Sequence, residues 1–422
     1  MTGTVESASF QRHPVVVAGA GAAGLLAALF AARTGAPVVL VEGTRDGGRK
    51  ILISGGGRCN ILPAQVSPER FVTGSSPHSL RNILRAWPLA AQREFFEHEL
   101  GMRLVLEEDT GKLFPETNHA RDVRDRLVTR VREAGVTIQF GTRVTGVVPP
   151  ADAAAPWRVL LSDGAPRDAA AVVLATGGLS VPATGSDGAG LAMARALGHV
   201  ALDPYPALTP LVADPPVHAD LAGVSLDVTV RAPGARPRFE TSGGFLFTHR
   251  GYSGPAVLDA SHLAVRSVGG VERQRLTVQW TPLDASAWEA ALRPGRRNVG
   301  PLVARSMPVR LADRLLAEAG VSGSQALAHL DRGQRQRLIT LLTAYPLPWT
   351  GHAGFHKAEV TGGGIALVEV DPRTMESRRC PRLFLCGEIL DAFGPIGGHN
   401  FLWAWVTGRA AGMSAGRLVG AR

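Results

Sequence analysis

A short β-branched run, Val15-Val16-Val17, leads at once into Gly19-Ala20-Gly21-Ala22-Ala23-Gly24, and this junction constrains the fold more than any other feature of the 422-residue chain. Three consecutive valines suit a parallel strand buried on both faces. The first glycine permits a tight turn, the second lets a pyrophosphate approach the backbone, and the third lets the next helix pack closely on the strand. That helix is expected to run through Leu25 to Arg33, with Gly35 as its cap and its N-terminal amides turned to a diphosphate. A second apolar run, Val38 to Val41, ends in Glu42. A carboxylate there, roughly 20 residues beyond the glycines, accepts hydrogen bonds from ribose hydroxyls and disfavours a 2′-phosphate. Strand, glycines, helix, strand and acid in this order predict a dinucleotide unit for FAD or NAD rather than NADP. The same order argues against a membrane span over Val15 to Ala32, because glycines interrupt it and a second strand follows closely.

Composition narrows the class further. The 50 glycines cluster in short runs, as repeated close approach of backbone to a ligand requires. The net charge of +9 is carried almost wholly by arginine, the lysines being Lys50, Lys112 and Lys357. The arginines are dispersed and aromatic residues make up only 6%, so a small-molecule substrate is expected rather than a nucleic acid. Three cysteines without a CxxC pair point to a reducing cytoplasm. No metal-ligand pattern occurs, and Gly412 to Gly416, a formal GxSxG, has no histidine after it to complete a hydrolase triad. Oligomeric state is left open.

The stretch after Glu42 separates the cofactors. Arg49-Lys50-Ile51-Leu52-Ile53-Ser54-Gly55-Gly56-Gly57-Arg58-Cys59-Asn60 offers basic residues and a glycine-rich turn whose amides suit phosphate or a flavin edge. It resembles the signature of the BaiN/YhiN-like flavoproteins, the aminoacetone oxidase-like FAD-binding enzymes within the NAD(P)/FAD-dependent oxidoreductases. The resemblance extends through Val172 to Gly178, with its Ala175-Thr176-Gly177, through Ser186 to Gly190, Gly243 to His249 and Gly251 to Pro255. It closes with the AEVTGGG run from Ala358, Leu383 to Glu388, Asp391 and Gly397-Gly398-His399-Asn400. What it implies is FAD held by Gly19, Gly21, Ala23, Gly24 and Glu42, by Arg49, Lys50, Ser54, Gly56, Arg58, Cys59 and Asn60, and by Thr176 and Gly177. At the C-terminal end it adds Gly387, Glu388, Asp391, Gly398, His399, Asn400 and Phe401. It further implies that Val144 meets the adenine through its backbone. The family pattern has Tyr where this chain carries His399. Independently of the resemblance, a helix opening at Gly397-Gly398 presents amides and a positive dipole suited to a flavin pyrimidine edge.

The expected fold is α/β, a Rossmann-type FAD-binding domain of the two-dinucleotide-domain flavoprotein type, with an inserted β-rich subdomain and a helical subdomain. Its parts are expected at 1–190, 191–283, 284–348 and 349–422. The β-rich part is read from Val224 to Val230 and Arg275 to Trp280, the helical part from Leu311, Leu315, Leu316, Leu338, Leu341 and Leu342. The expected activity is FAD-dependent oxidation or reduction of a small organic molecule, by C=C reduction or amine oxidation, with flavin N5 carrying hydride. No second nucleotide motif is present, so NAD(P)H enters only as a transient reductant. His356, Lys357 and His399 are the candidate proton-transfer groups, with His249 and Tyr252 as alternatives at a turn. A buried packing role is the competing reading for Cys59. A flavin-dependent RNA-modifying enzyme and a non-catalytic flavin-binding sensor are the rival functions.

Overall fold

The computed structural model describes residues 9–420. The chain forms two compact units, one running to Pro204 and resuming at Val360, the other spanning Tyr205–Glu359.

The first unit is built on five parallel strands, β1 (Val15–Ala18), β2 (Val38–Glu42), β3 (Thr137–Phe140), β4 (Ala171–Leu174) and β5 (Leu383–Leu385). They lie in the order β3-β2-β1-β4-β5, so the order reverses between β1 and β4. Open α/β sheets bind ligands at such a reversal. Val15 pairs with Val38 on one side and Ala171 on the other, and Val172 pairs with Leu383. Helix α1 (Ala22–Ala32) connects β1 to β2, α2 (Ala120–Glu133) precedes β3, and α3 (His399–Gly420) follows β5. The apolar run that resembles a membrane span is thus β1, the glycine turn and a helix buried nearly all round. Among the described residues no helix is long and apolar enough to cross a membrane.

Helix α3 lies against α1 backbone to backbone. A Cβ at Gly408 would fall 2.3 Å from the Ala23 carbonyl oxygen, at Gly412 2.1 Å from that of Ala27, and at Gly416 2.6 Å from that of Ala31. The contacts climb both helices together, so the two run parallel. The glycines that spell GxSxG are therefore a packing stripe that no larger residue could replace. Residues 399–407 carry α3 about 13 Å beyond the level of Ala23, at about 1.5 Å per residue. Its N-terminus overhangs the end of α1 at which the glycine turn sits.

The second unit has a seven-stranded antiparallel sheet centred on Ser225–Ala232 and Phe239–Thr248. Helices Pro255–Ser267, Val309–Ala319 and Arg332–Thr343 accompany it, the last opened by an Asp331–Gln334 capping box. The division expected at residues 283/284 does not separate two bodies. Trp280, Phe245 and Phe247 of the sheet share one core with Trp288, Leu311, Leu315, Leu338 and Leu342 of the helices. Helices this short have one apolar face each and bury it on the sheet. The sheet and helices are clasped by a buried polar network. His218 Nδ1 meets the Tyr252 hydroxyl at 2.9 Å and His218 Nε2 meets that of Tyr345 at 3.0 Å. Tyr252 also donates to the Pro348 carbonyl at 3.2 Å, and Glu318, paired with Arg314 at 2.6 Å, lies 3.6 Å from His218.

Candidate cofactor and active site

The glycine turn is a close-packed knot with one open side. Gly19 has a φ of +101°, and a Cβ there would fall 2.6 Å from the Ala175 carbonyl oxygen. A Cβ at Gly24 would fall 1.8 Å from the Gly19 carbonyl oxygen, whereas Gly21 faces empty space. Glu42 closes the knot: its Oε2 accepts from the Ala20 amide and its Oε1 from the Thr44 amide, both at 2.7 Å. Each oxygen keeps a second lone pair, so the carboxylate can brace the turn and still accept from a hydroxyl. The segment leading to Val144 runs beside it, with the Thr142 amide donating to the Glu42 carbonyl at 3.1 Å.

The second glycine run also leaves backbone bare. Gly55, Gly56 and Gly57 have φ of 56°, 68° and 86°, and nothing lies within 4 Å of a Cβ placed on Gly56 or Gly57. Arg124 holds the entrance to this segment by donating to the Asp46 and Gly47 carbonyls at 3.3 and 3.4 Å. Arg49 pairs with Asp46 at 2.8 Å. Arg58 pairs with Glu107 at 3.0 Å and lies over the Phe114 ring at 4.0 Å. Ser54 donates to the Ile51 carbonyl at 2.8 Å. Cys59 is fully buried, and burial pushes its thiol up to about 12. It is therefore protonated at neutral pH, and its position suits packing rather than thiolate chemistry. Asn60 follows it, its amide close to Gly55.

At the C-terminal ends of β4 and β5 the expected residues are drawn together by partners that sequence spacing does not reveal. Lys50 Nζ meets Glu388 Oε2 and Ser180 Oγ, each at 2.5 Å. Glu388 Oε1 accepts from Ser180 Oγ at 2.5 Å and from the Thr361 amide at 3.0 Å. Lys50 and Glu388 stand 338 residues apart, and Ser180 belongs to no motif recognisable in advance, whereas Thr361 lies in the AEVTGGG run. Gly387 is sewn to α3 on both sides, its amide donating to Thr407 at 2.9 Å and its carbonyl accepting from Trp403 at 3.1 Å. Gly177, at a φ of +74°, packs on Ser186.

Three residues of the C-terminal stretch have local duties. Asp391 Oδ2 accepts from the Gly74 amide and Ser75 Oγ at 2.9 Å and from Thr73 Oγ1 at 3.0 Å, and burial raises its pKa. Asn400 clamps Gly394 with two hydrogen bonds of 2.9 Å. Phe401 stacks on Trp405 at 5.3 Å. Gly398 is pressed against Leu62, where a Cβ would fall 2.5 Å from its carbonyl carbon. His399, the first residue of α3, is buried. Among the proton-transfer candidates, His356 and Lys357 are exposed residues of the second unit, as is His249, while Tyr252 belongs to the His218 clasp.

The first unit's residues fit a large polar cofactor. Bare backbone at Gly21, Gly56 and Gly57 faces open space, and Thr176 Oγ1 is buried with no hydrogen-bond partner. Buried polar atoms are rarely left so, and a ligand rich in acceptors and donors would satisfy them. Among the described residues no group of three His, Cys, Asp or Glu could hold a metal ion.

A 3-2-1-4-5 parallel sheet, a glycine turn braced by an acid, and this second cradle define the class: the protein is an FAD-dependent oxidoreductase with a Rossmann-type domain. More narrowly, the chain belongs to the family described as HI0933-like protein Rossmann domain, which matches residues 13–414. It is 31% identical over 402 residues to the ribosomal RNA dihydrouridine synthase of Escherichia coli (strain K12), covering 94% of this chain and 96% of that protein. It is also 31% identical over 408 residues to the 3-dehydro-bile acid delta(4,6)-reductase of Clostridium scindens, covering 94% and 98%. Among solved structures, a 3-ketosteroid-delta4-(5alpha)-dehydrogenase from Rhodococcus jostii RHA1 matches with a TM-score of 0.50 at 16% identity, over 96% of each chain. A flavocytochrome c3 fumarate reductase matches with a TM-score of 0.51 at 18% identity, over 96% of this chain and 78% of that one. At these identities the structures speak to fold alone.

Proposed function

We propose that the protein reduces a carbon–carbon double bond conjugated to a carbonyl, with FAD as hydride carrier and a reduced nicotinamide as transient donor. The observation that carries this reading is that two relatives at 31% identity, each matched over nearly its whole length, have different substrates in their names but one chemistry. A delta(4,6)-reductase of a 3-keto compound and a synthase of dihydrouridine both saturate a C=C in conjugation with a carbonyl. Amine oxidation runs electrons the other way, and neither name supports it.

The glycine turn and Glu42 would hold the ADP half of the cofactor, with the Val144 segment beside the adenine. Lys50, Glu388, Ser54 to Asn60 and the start of α3 would hold the rest. Once reduced by the nicotinamide, the bound flavin would supply hydride chemistry at N5 toward the β-carbon of the substrate. The chain supplies a donor to the substrate carbonyl and a proton to the α-carbon. His356, Lys357 and His399 stay the candidates for that proton. The three cysteines are free, which suits a reducing cytoplasm.

A second reading, reduction of uridine in RNA, is favoured by the name of the Escherichia coli relative and by the net charge of +9. One experiment covers both. The holoprotein is titrated anaerobically with NADH and with NADPH while flavin absorbance is followed, then mixed with an enone, with ribosomal RNA lacking dihydrouridine, or with oxygen. Re-oxidation by the enone faster than by oxygen supports the small-molecule reading, and re-oxidation by RNA alone moves the substrate to uridine. Bleaching by aminoacetone, with no re-oxidation by either alkene, overturns the proposal.

A further inference from the structure

Lysine is scarce in this chain: it stands at Lys50, Lys112 and Lys357, among 45 lysines and arginines together. Where a dispersed positive charge suffices, the chain uses arginine. A lysine kept against that bias suits a place that calls for a compact ammonium with three rotatable donors rather than a planar guanidinium. Lys50 is such a case, its ammonium set between Glu388 and Ser180. Lys357 is exposed on the second unit. Lys112 belongs to the first unit, and among the described residues none hydrogen-bonds or ion-pairs with its ammonium.

The place of Lys112 is set by a hairpin, Leu104–Glu107 paired with Lys112–Pro115. Residues two apart on a strand share a face, so Lys112 and Phe114 point the same way. The first glycine cradle rests on that face. A Cβ on Gly55 would fall 3.3 Å from the Phe114 ring, and Arg58 lies over the ring at 4.0 Å. The second cradle meets the same strand at Lys112, whose Cγ and Cε would each lie 3.6 Å from a Cβ on Gly397. Gly398 presses on Leu62 and Pro63, which pair with Leu113 and Lys112. Two residues of one strand, about 7 Å, thus separate the two backbones proposed to flank the flavin.

The other cations of these segments are taken. Arg49 is held by Asp46 and Lys50 by Glu388. Glu107 stands across the hairpin from Lys112 and lowers in pKa partly under its charge, yet its oxygens are spent elsewhere. Oε1 accepts from Arg58 at 3.0 Å and Oε2 from Thr110 at 2.5 Å. Lys112 is left with free donors on a flexible stem beside Gly397.

We propose that Lys112 is a catalytic residue, its ammonium donating to the carbonyl oxygen of the substrate. As hydride reaches the β-carbon, the C=C π pair shifts between the α-carbon and the carbonyl carbon, and the C=O π pair moves onto oxygen. The ammonium meets the charge that develops there. A proton delivered to the α-carbon by the general acid then restores the carbonyl. One hydride and one proton are added in all, the hydride originating in the reduced nicotinamide of the proposed reaction. A donor aimed at charge that appears only during reaction stabilises the transition state more than the ground state. The assignment rests on the proposed C=C reduction and holds for a 3-keto alkene and for uracil alike, since both carry the conjugated carbonyl.

Holoprotein of the parent, K112M and K112R is reduced with dithionite and mixed with cyclohexenone while flavin absorbance is followed. Ribosomal RNA lacking dihydrouridine takes the place of the enone if it is the alkene that the parent accepts. K112M should re-oxidise about 100-fold more slowly at saturating alkene, the effect of losing one oxyanion donor. Half-saturation should move by less than about threefold, as expected of a contact made in the transition state. K112R, which keeps the charge in another geometry, should recover part of the rate. The midpoint potential, the flavin spectrum and the melting temperature should match the parent. An unchanged rate in K112M, where the parent reduces the alkene, overturns the proposal and leaves the functional reading standing. A slowed rate that comes with a shifted potential or lost flavin makes Lys112 a cofactor contact and overturns it as well. A parent that reduces neither alkene sinks the functional reading and this proposal with it.

Discussion

His218 in the second unit and His399 in the first are buried to the same 4% exposure and treated in opposite ways. Around His218 the polar groups are closed on one another: two tyrosine hydroxyls take its nitrogens, and Glu318 is held by Arg314. These residues lie far apart in sequence and join sheet to helices. Around His399 the contacts are a phenylalanine edge, glycine backbone and the Gln65 backbone. Burial therefore does not distinguish the two histidines; what each ring meets does. A closed network of the first kind contributes to folding.

The largest effect expected from this contrast is at the clasp. His218→Ala would take a partner from each tyrosine hydroxyl and create a cavity, costing about 2–3 kcal/mol. Denaturant unfolding of the apoprotein reads it directly, while FAD affinity measured on the folded protein should be unchanged. A variant that kept its stability but lost FAD would break the comparison by making the clasp functional.

Glu318→Gln is a smaller cut in the same network. Burial alone raises this carboxyl, but hydrogen bonds from His218, Arg314 and Tyr345 outweigh it and hold the pKa at about 2, against an ordinary 4.5. A carboxyl lowered in the folded state stabilises it fully above pH 4.5, and the contribution is lost as pH falls toward 2. Allowing for partial exposure, the glutamine variant should lose about 1–2 kcal/mol at neutral pH. It should also lose less stability than the parent between about pH 4.5 and pH 2. Unfolding curves across that range check both, and identical acid profiles would mean that the ionised carboxylate is not part of the clasp.

The contrast also explains what the chain disclosed beforehand. The β1–α1–β2 unit was readable because valine runs, spaced glycines and a terminal acid are local patterns with one common geometry. The expected helices of the second unit matched Val309–Ala319 and Arg332–Thr343 for the same reason, since leucine spacing is a local record of a buried face. Where the fold joins distant segments, no such record exists. Nothing near Lys50 points to Glu388 or Ser180, nothing near His218 points to Tyr345, and Asp391 carries no sign that it ties down Thr73 to Ser75. One missed signal was local after all: glycines at 408, 412, 416 and 420 recur every four residues, the spacing of one helix face. They announce a close helix contact, and the passing likeness to GxSxG obscured it.

His399→Phe gives the smallest change at neutral pH and the sharpest test of the second ring's surroundings. Phenylalanine removes both ring nitrogens and keeps an aromatic ring against Phe71, so apoprotein stability at pH 7 should change by no more than about 1 kcal/mol. The difference should then grow with acid. In the parent the folded-state pKa of about 4 lies below the ordinary 6.5, so its stability is intact above pH 6.5 and drains away as pH falls toward 4. His262, also held at about 4 by burial, titrates alike in both proteins and cancels. Near pH 4.5 the variant should therefore exceed the parent by about 2–3 kcal/mol more than at pH 7. Parallel unfolding profiles from pH 7 to 4.5 would mean that water reaches His399 in the free protein. The two histidines would then differ in exposure as well as in their neighbours.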